Sequence, residues 1–194
     1  KKQEIFRNLI WFLNNFYYLC GMKQTITLIG KIVFEPENKT KKHHAQSSWK
    51  RLAMVNFNCD VAEYYAWFIL RRFNLPLNKP LRGAHISFIN DSIKDFSNNG
   101  TKTIDEINSE WERVKKKWNN KKVEIKLEIS PRTDSKYWWL RVSDESRIHL
   151  QEIREELGLS KPYWGLHMTI GHANDKNLFH SKYIHKLIEQ NYIK

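Results

Sequence analysis

Two rhythms of apolar and polar positions alternate along the chain. The stretches "TITLIGKIVF" (25–34), "RLAMVNFNC" (51–59) and "YWWLRV" (137–142) are rich in β-branched and aromatic residues and predict strands. "KKVEIKLEIS" (121–130) alternates cleanly, as a half-buried strand should. Helical segments come between them. "DVAEYYAWFILRRFN" has Asp60 and Glu63 in capping-box spacing and predicts a helix over 61–74, stopped by the prolines of "LPLNKPLRG". Thr103 and Glu106 repeat that spacing at the start of a charged helix over 103–120, "DESRIHLQEIREELG" is a helix closed by Gly158, and "NLFHSKYIHKLIEQN" is a terminal helix. Residues 1–23 read as an amphipathic helical extension rather than a targeting segment, because Asn14 and Asn15 interrupt the apolar run.

Two further strands are short and contain histidine: "GAHISFIN" (83–90) and "GLHMTIGH" (165–172). Each runs small residue, His, apolar, hydroxyl, apolar. His85 and His167 lie 82 residues apart, each late in its half of the chain. The expectation is an α+β domain over 24–194, built of two lobes related by a pseudo-two-fold with the histidine strands adjacent at its centre.

Alternation along a strand puts His85 with Ser87 on one face and His167 with Thr169 on another, while Ile86, Phe88, Met168 and Ile170 point into apolar packing. Side by side, such strands bring together two imidazoles and two hydroxyls. One imidazole can take a proton from an attacking oxygen while the other protonates a leaving oxygen, each worth roughly 10² to 10⁴ in rate. The hydroxyls can hydrogen-bond to non-bridging phosphate oxygens. A single His-x-Ser motif is more often a buried histidine bonded to backbone; two copies at similar places in two similar halves favour a paired site.

Charge narrows the substrate class. A net charge of +12 gives a field that attracts polyanions, so phosphate-bearing ligands outweigh acyl or peptide substrates, although solvated lysines account for part of any such excess. The two cysteines, Cys20 and Cys59, have no metal-type spacing and suggest neither a disulfide framework nor structural zinc, pointing to a reduced, cytoplasmic setting. No apolar run is long enough to span a membrane. His43 and His44 are adjacent, and His180 and His185 are five apart, off a shared helix face, so no metal site is expected.

"AHISF" and "LHMTIG" resemble the paired motifs of the 2H phosphoesterase superfamily, which includes RNA 2′,5′-ligase-like proteins and cyclic phosphodiesterases. "YYAWFILRRFNLPLNKPLRGAHISFIND" and "YWWLRVSDESRIHLQEIREELG" are similar to its phage-encoded branch, which degrades the cyclic oligonucleotide signals of bacterial CBASS immunity; the likeness covers roughly residues 24 to 175. It implies a two-lobed LigT-like fold with antiparallel sheets lining a central cleft and helices outside. It also implies hydrolysis of 3′,5′ bonds in cyclic di- or trinucleotides, with no cofactor, metal or stable protein partner, in the cytoplasm of an infected cell. His85 and His167 match the family's acid and base, and Ser87 and Thr169 its phosphate-binding hydroxyls; Ser87 stands where threonine is commoner.

Bases need flat surfaces. Tyr163 and Trp164 precede the second histidine strand, Trp138 and Trp139 occupy opposite faces of the strand before it, and Tyr65 or its neighbour Tyr64 can reach the cleft; each is also an ordinary core candidate. Arg82, Lys79 and Lys161 flank the motifs as phosphate partners or solvated charges. An RNA-end 2′,3′-cyclic phosphodiesterase or 2′,5′ ligase, and a module that binds RNA or nucleotide without cleaving it, remain as alternatives.

Overall fold

A computed structural model describes residues 24–36, 52–90, 104–159, 161–162 and 165–191. The N-terminal segment, His43 and His44, Thr103, and the aromatic pair Tyr163 and Trp164 lie outside the described residues. The fold is α+β, with two antiparallel sheets. The larger has strands β1 (Thr25–Phe34), β2 (Ala53–Asn56), β3 (His85–Ile89) and β4 (Lys122–Glu128) in the order β3-β2-β1-β4. The smaller has β5 (Arg132–Thr133), β6 (Tyr137–Arg141) and β7 (His167–His172) in the order β5-β6-β7. Among the described residues, four helices join them: α1 (Val61–Phe73), α2 (Ile104–Trp118), α3 (Asp144–Glu156) and α4 (Leu178–Glu189).

The two-residue period sets which side each strand buries. In β1, Gly30, Ile32 and Phe34 are buried while Thr27, Ile29 and Lys31 are exposed, and Val123, Ile125 and Leu127 of β4 face the same core. Helices α2 and α3 cover that side. Trp111 of α2 is fully buried with its ring 5.0 Å from Phe34, and Arg154 of α3, also fully buried, donates from Nη1 to the carbonyl of Phe88 on β3. The smaller sheet is covered by α1 and α4: Phe73 lies 6.0 Å from the buried Trp138 ring, whose Nε1 donates to Ser181 Oγ at 3.0 Å. One apolar core runs through both sheets.

The helix ends show where sequence spacing and geometry part. Asp60 and Glu63 have capping-box spacing, yet the Asp60 side chain makes no cap bond and Glu63 accepts from Lys79 Nζ at 2.8 Å. At α3, by contrast, Ser143 Oγ accepts from Ser146 N, and Gly158 at φ 73° supplies the left-handed turn after the last residues. The strand expected over 51–59 is regular over Ala53–Asn56, and Phe57 N still donates to the Ala84 carbonyl at 3.0 Å before the chain leads into α1. Strand β5 was not foreseen; it is two residues long and leads into a turn where Asp134 Oδ1 accepts from Lys136 N and Tyr137 N.

Candidate active site

The histidine strands are built alike. His85 and Ser87 are half-buried on one face of β3, with Ile86 and Phe88 buried on the other; His167 and Thr169 are half-buried on β7, with Met168 and Ile170 buried behind. The likeness extends to a distortion. Ser87 pairs with Met54 but Ile89 pairs with the adjacent Ala53, so Phe88 is an extra residue; Thr169 pairs with Trp139 but Gly171 with the adjacent Trp138, so Ile170 is extra. Each strand therefore carries a β-bulge directly after its hydroxyl residue, a device that bends the strand and re-aims side chains. Two consecutive buried residues follow each hydroxyl as a result.

The imidazoles are also held alike. His85 Nδ1 lies 2.9 Å from the Gly83 carbonyl, and His167 Nδ1 lies 2.6 Å from the Gly165 carbonyl. A carbonyl only accepts, so Nδ1 carries the proton in both rings and Nε2 is the basic nitrogen of each neutral imidazole. Gly83 has φ +68°, a conformation that costs side-chain-bearing residues energy, and so aims its carbonyl by a backbone turn that glycine adopts readily.

Cross-strand register identifies the residues that share a face with each histidine. Directly paired residues share a face, so His85, Asn56, Lys31 and Lys122 line one face of the larger sheet, and alternation along β4 adds Glu124, Lys126 and Glu128. In the smaller sheet the pairs His167 with Arg141, Thr169 with Trp139, and Trp139 with Arg132 mark the corresponding face. The two faces meet at Glu128, which is buried: its carboxylate takes Arg132 Nη2 at 2.8 Å and approaches Arg141 Nη1 at 3.8 Å. A backbone bridge from Leu127 to Val142 ties the sheets near that point, and β3 and β7 run close together with Cα atoms within 8 Å.

The remaining candidates divide. Trp139 lies opposite Thr169 on the histidine face, its ring 6.0 Å from that of His167. Tyr65 packs against the core and donates its hydroxyl to the Ile129 carbonyl at 2.7 Å, a structural bond between α1 and the loop after β4. Trp138 is core. Lys79 is exposed and paired with Glu63, whose hydrogen bond and charge raise its pKa above the ordinary value. Arg82 is half-buried in a cleft beside β1 that none of His85, Ser87, His167 or Thr169 lines, and partial burial draws its guanidinium below its usual pKa. His180 donates to the Phe73 carbonyl, and His185 lies 3.2 Å from Glu189. Among the described residues no three His, Cys, Asp or Glu side chains gather as a metal site would require, and no helix is long and apolar enough to cross a membrane.

Arg141 and Asn56 were not singled out from sequence. They are the cross-strand partners of His167 and His85, a relation set by pairing register that linear spacing does not reveal. No family model, curated protein or solved structure matches the chain.

Proposed function

We propose that the chain is a metal-independent phosphodiesterase of the 2H type, acting on 3′,5′ bonds of cyclic di- or trinucleotide messengers, and that it serves a phage in evading CBASS immunity within the infected cell. The observation that carries the chemical part is the duplicated unit of glycine carbonyl, Nδ1-bonded histidine, hydroxyl residue and bulge, present once in each sheet. Two rings fixed in one tautomer, on strands that run close together, suit a reaction needing a base and an acid at once. The choice of messenger rests on the sequence likeness described above.

The reaction follows from those groups. One Nε2 removes the proton of a ribose 2′-hydroxyl, whose oxygen attacks the adjacent phosphorus. The bond from phosphorus to the 5′-oxygen breaks, and the second histidine, protonated, gives that oxygen its proton. A 2′,3′-cyclic phosphate results, and water opens it with the histidine roles exchanged. Ser87 and Thr169 donate to the non-bridging oxygens as charge gathers there.

The test is incubation of the protein in EDTA with cyclic di- and trinucleotides and a 2′,3′-cyclic mononucleotide, followed by chromatography. Linear products from the cyclic oligonucleotides support the reading. Cleavage of the mononucleotide alone moves the protein to RNA-end chemistry, and turnover only with added zinc overturns the metal-free mechanism.

A further inference from the structure

Directly paired residues run in one row across the larger sheet on its histidine face: Lys122 of β4, Lys31 of β1, Asn56 of β2 and His85 of β3. Ile32 N donates to the Lys121 carbonyl at 2.9 Å, so the next pair, Lys31 with Lys122, is a non-hydrogen-bonded one, in which side chains come closest. Like charges set directly opposite each other destabilise a sheet. Both lysines are exposed, and among the described residues neither has a hydrogen-bond or ion-pair partner. Lys79, Lys115, Lys117 and Lys126, by contrast, each meet a glutamate within 3.0 Å.

The carboxylates near this pair do not neutralise it. Lys31 and Lys122 line a cleft of about 780 Å³ in which Asp60 and Glu63 also stand, but Lys79 and Arg82 share that lining and Glu63 is taken by Lys79. Glu124, the next outward residue of β4, sits between Lys122 and Lys126. At about 4.8 Å per strand, Lys31 is about 10 Å and Lys122 about 14 Å from His85 across the sheet, so a phosphate at His85 leaves the lysine pair to another anion. We infer that Lys31 and Lys122 form a second phosphate site, which binds one phosphate of an oligonucleotide whose scissile phosphodiester lies at His85. As part of a substrate site it rests on the phosphodiesterase reading. The unpartnered lysine pair stands without that reading.

The test is calorimetric titration with the 3′,5′-linked dinucleotide of deoxyadenosine, which has one phosphate and no attacking 2′-hydroxyl, and with its 5′-phosphorylated form, which has two. The phosphorylated form binds about tenfold or more tightly. Lys31→Gln and Lys122→Gln together remove that excess, make the plot of log Kd against log salt shallower by about 0.7 for the phosphorylated form, and leave the affinity of the unphosphorylated one unchanged. Both positions are exposed, so the double variant keeps its fold. Equal affinity of the parent protein for the two dinucleotides overturns the inference, as does an excess that survives the double variant. Hydrolysis of a cyclic dinucleotide by the unaltered protein separates the two claims. Lysine-dependent binding without turnover keeps the phosphate site and sinks the enzymatic reading, whereas turnover without that excess does the reverse.

Discussion

Replacing His167 with alanine separates a catalytic from a structural imidazole, because the structure sets very different sizes for the two effects. The ring is half-buried and makes one described hydrogen bond, from Nδ1 to the Gly165 carbonyl. Losing a single bond of that kind costs about 0.5–1.5 kcal/mol of stability, and the Gly165 carbonyl, at a strand entrance, can turn to water. Loss of a general acid or base costs about 10² to 10⁴ in rate, which at 1.36 kcal/mol per decade is about 2.7–5.4 kcal/mol of transition-state stabilisation. His167→Ala is therefore expected to melt cooperatively near the parent protein and to lose nearly all turnover of a cyclic dinucleotide, with nucleotide binding weakened modestly. Initial rates by chromatography, a thermal melt followed by circular dichroism, and calorimetric binding measure the three quantities. His85→Ala and the double variant should show a similar loss, since a reaction that needs both groups is already stopped by losing one. A folded His167→Ala protein with turnover within about threefold of the parent refutes the reasoning, and so does a variant that loses activity only because it has unfolded.

Other outcomes follow from the same coordinates. Gly83→Ala is expected to cost about 1–2 kcal/mol and to lower activity by tilting the carbonyl that holds His85, because φ there is +68°; Gly165→Ala, with open space for a Cβ and no positive φ, should be near neutral in a urea titration. Burial works to raise the Glu156 carboxyl, but hydrogen bonds from Lys117 and Trp118 and the charges of Lys117 and Arg113 outweigh it and hold its pKa below the ordinary 4.5. A depressed folded pKa gives stability that is present above about 4.5 and lost as pH falls through the lower folded value, so melts from pH 6 down to pH 2 should show an acid decline that is smaller in Glu156→Gln. Arg154→Ala takes a donor from the Phe88 carbonyl on the histidine strand and leaves that buried acceptor unsatisfied; equilibrium unfolding should show a loss of about 1–3 kcal/mol, and no measurable loss would show that α3 does not hold β3 through this residue.

Much of this protein is local enough to be legible along the chain. Alternation in "KKVEIKLEIS" gives β4 its inner and outer faces, Gly158 ends α3 with the backbone turn expected of it, and His-x-Ser and His-x-Thr put imidazole and hydroxyl on one side of their strands by the geometry of the pleat alone. The Asp60 and Glu63 spacing shows the limit of local reading, since Glu63 is drawn to Lys79, 16 residues away, and no cap forms.

Register, bulges and neighbours across strands belong to the tertiary structure. That Asn56 stands beside His85 and Arg141 beside His167, that both histidine strands bend directly after their hydroxyl residues, and that both faces meet at Glu128 all depend on long-range pairing and packing. Tyr65 and Trp139 make the same point: composition offers both as stacking surfaces and both are half-buried, but the Tyr65 hydroxyl donates to the Ile129 carbonyl, while pairing with Thr169 leaves Trp139 beside the His167 ring. The sequence by itself determined which side chains share a face, because the periods of strand and helix are properties of the backbone; only the fold decided which faces meet, because that is settled by how distant apolar surfaces best exclude water together.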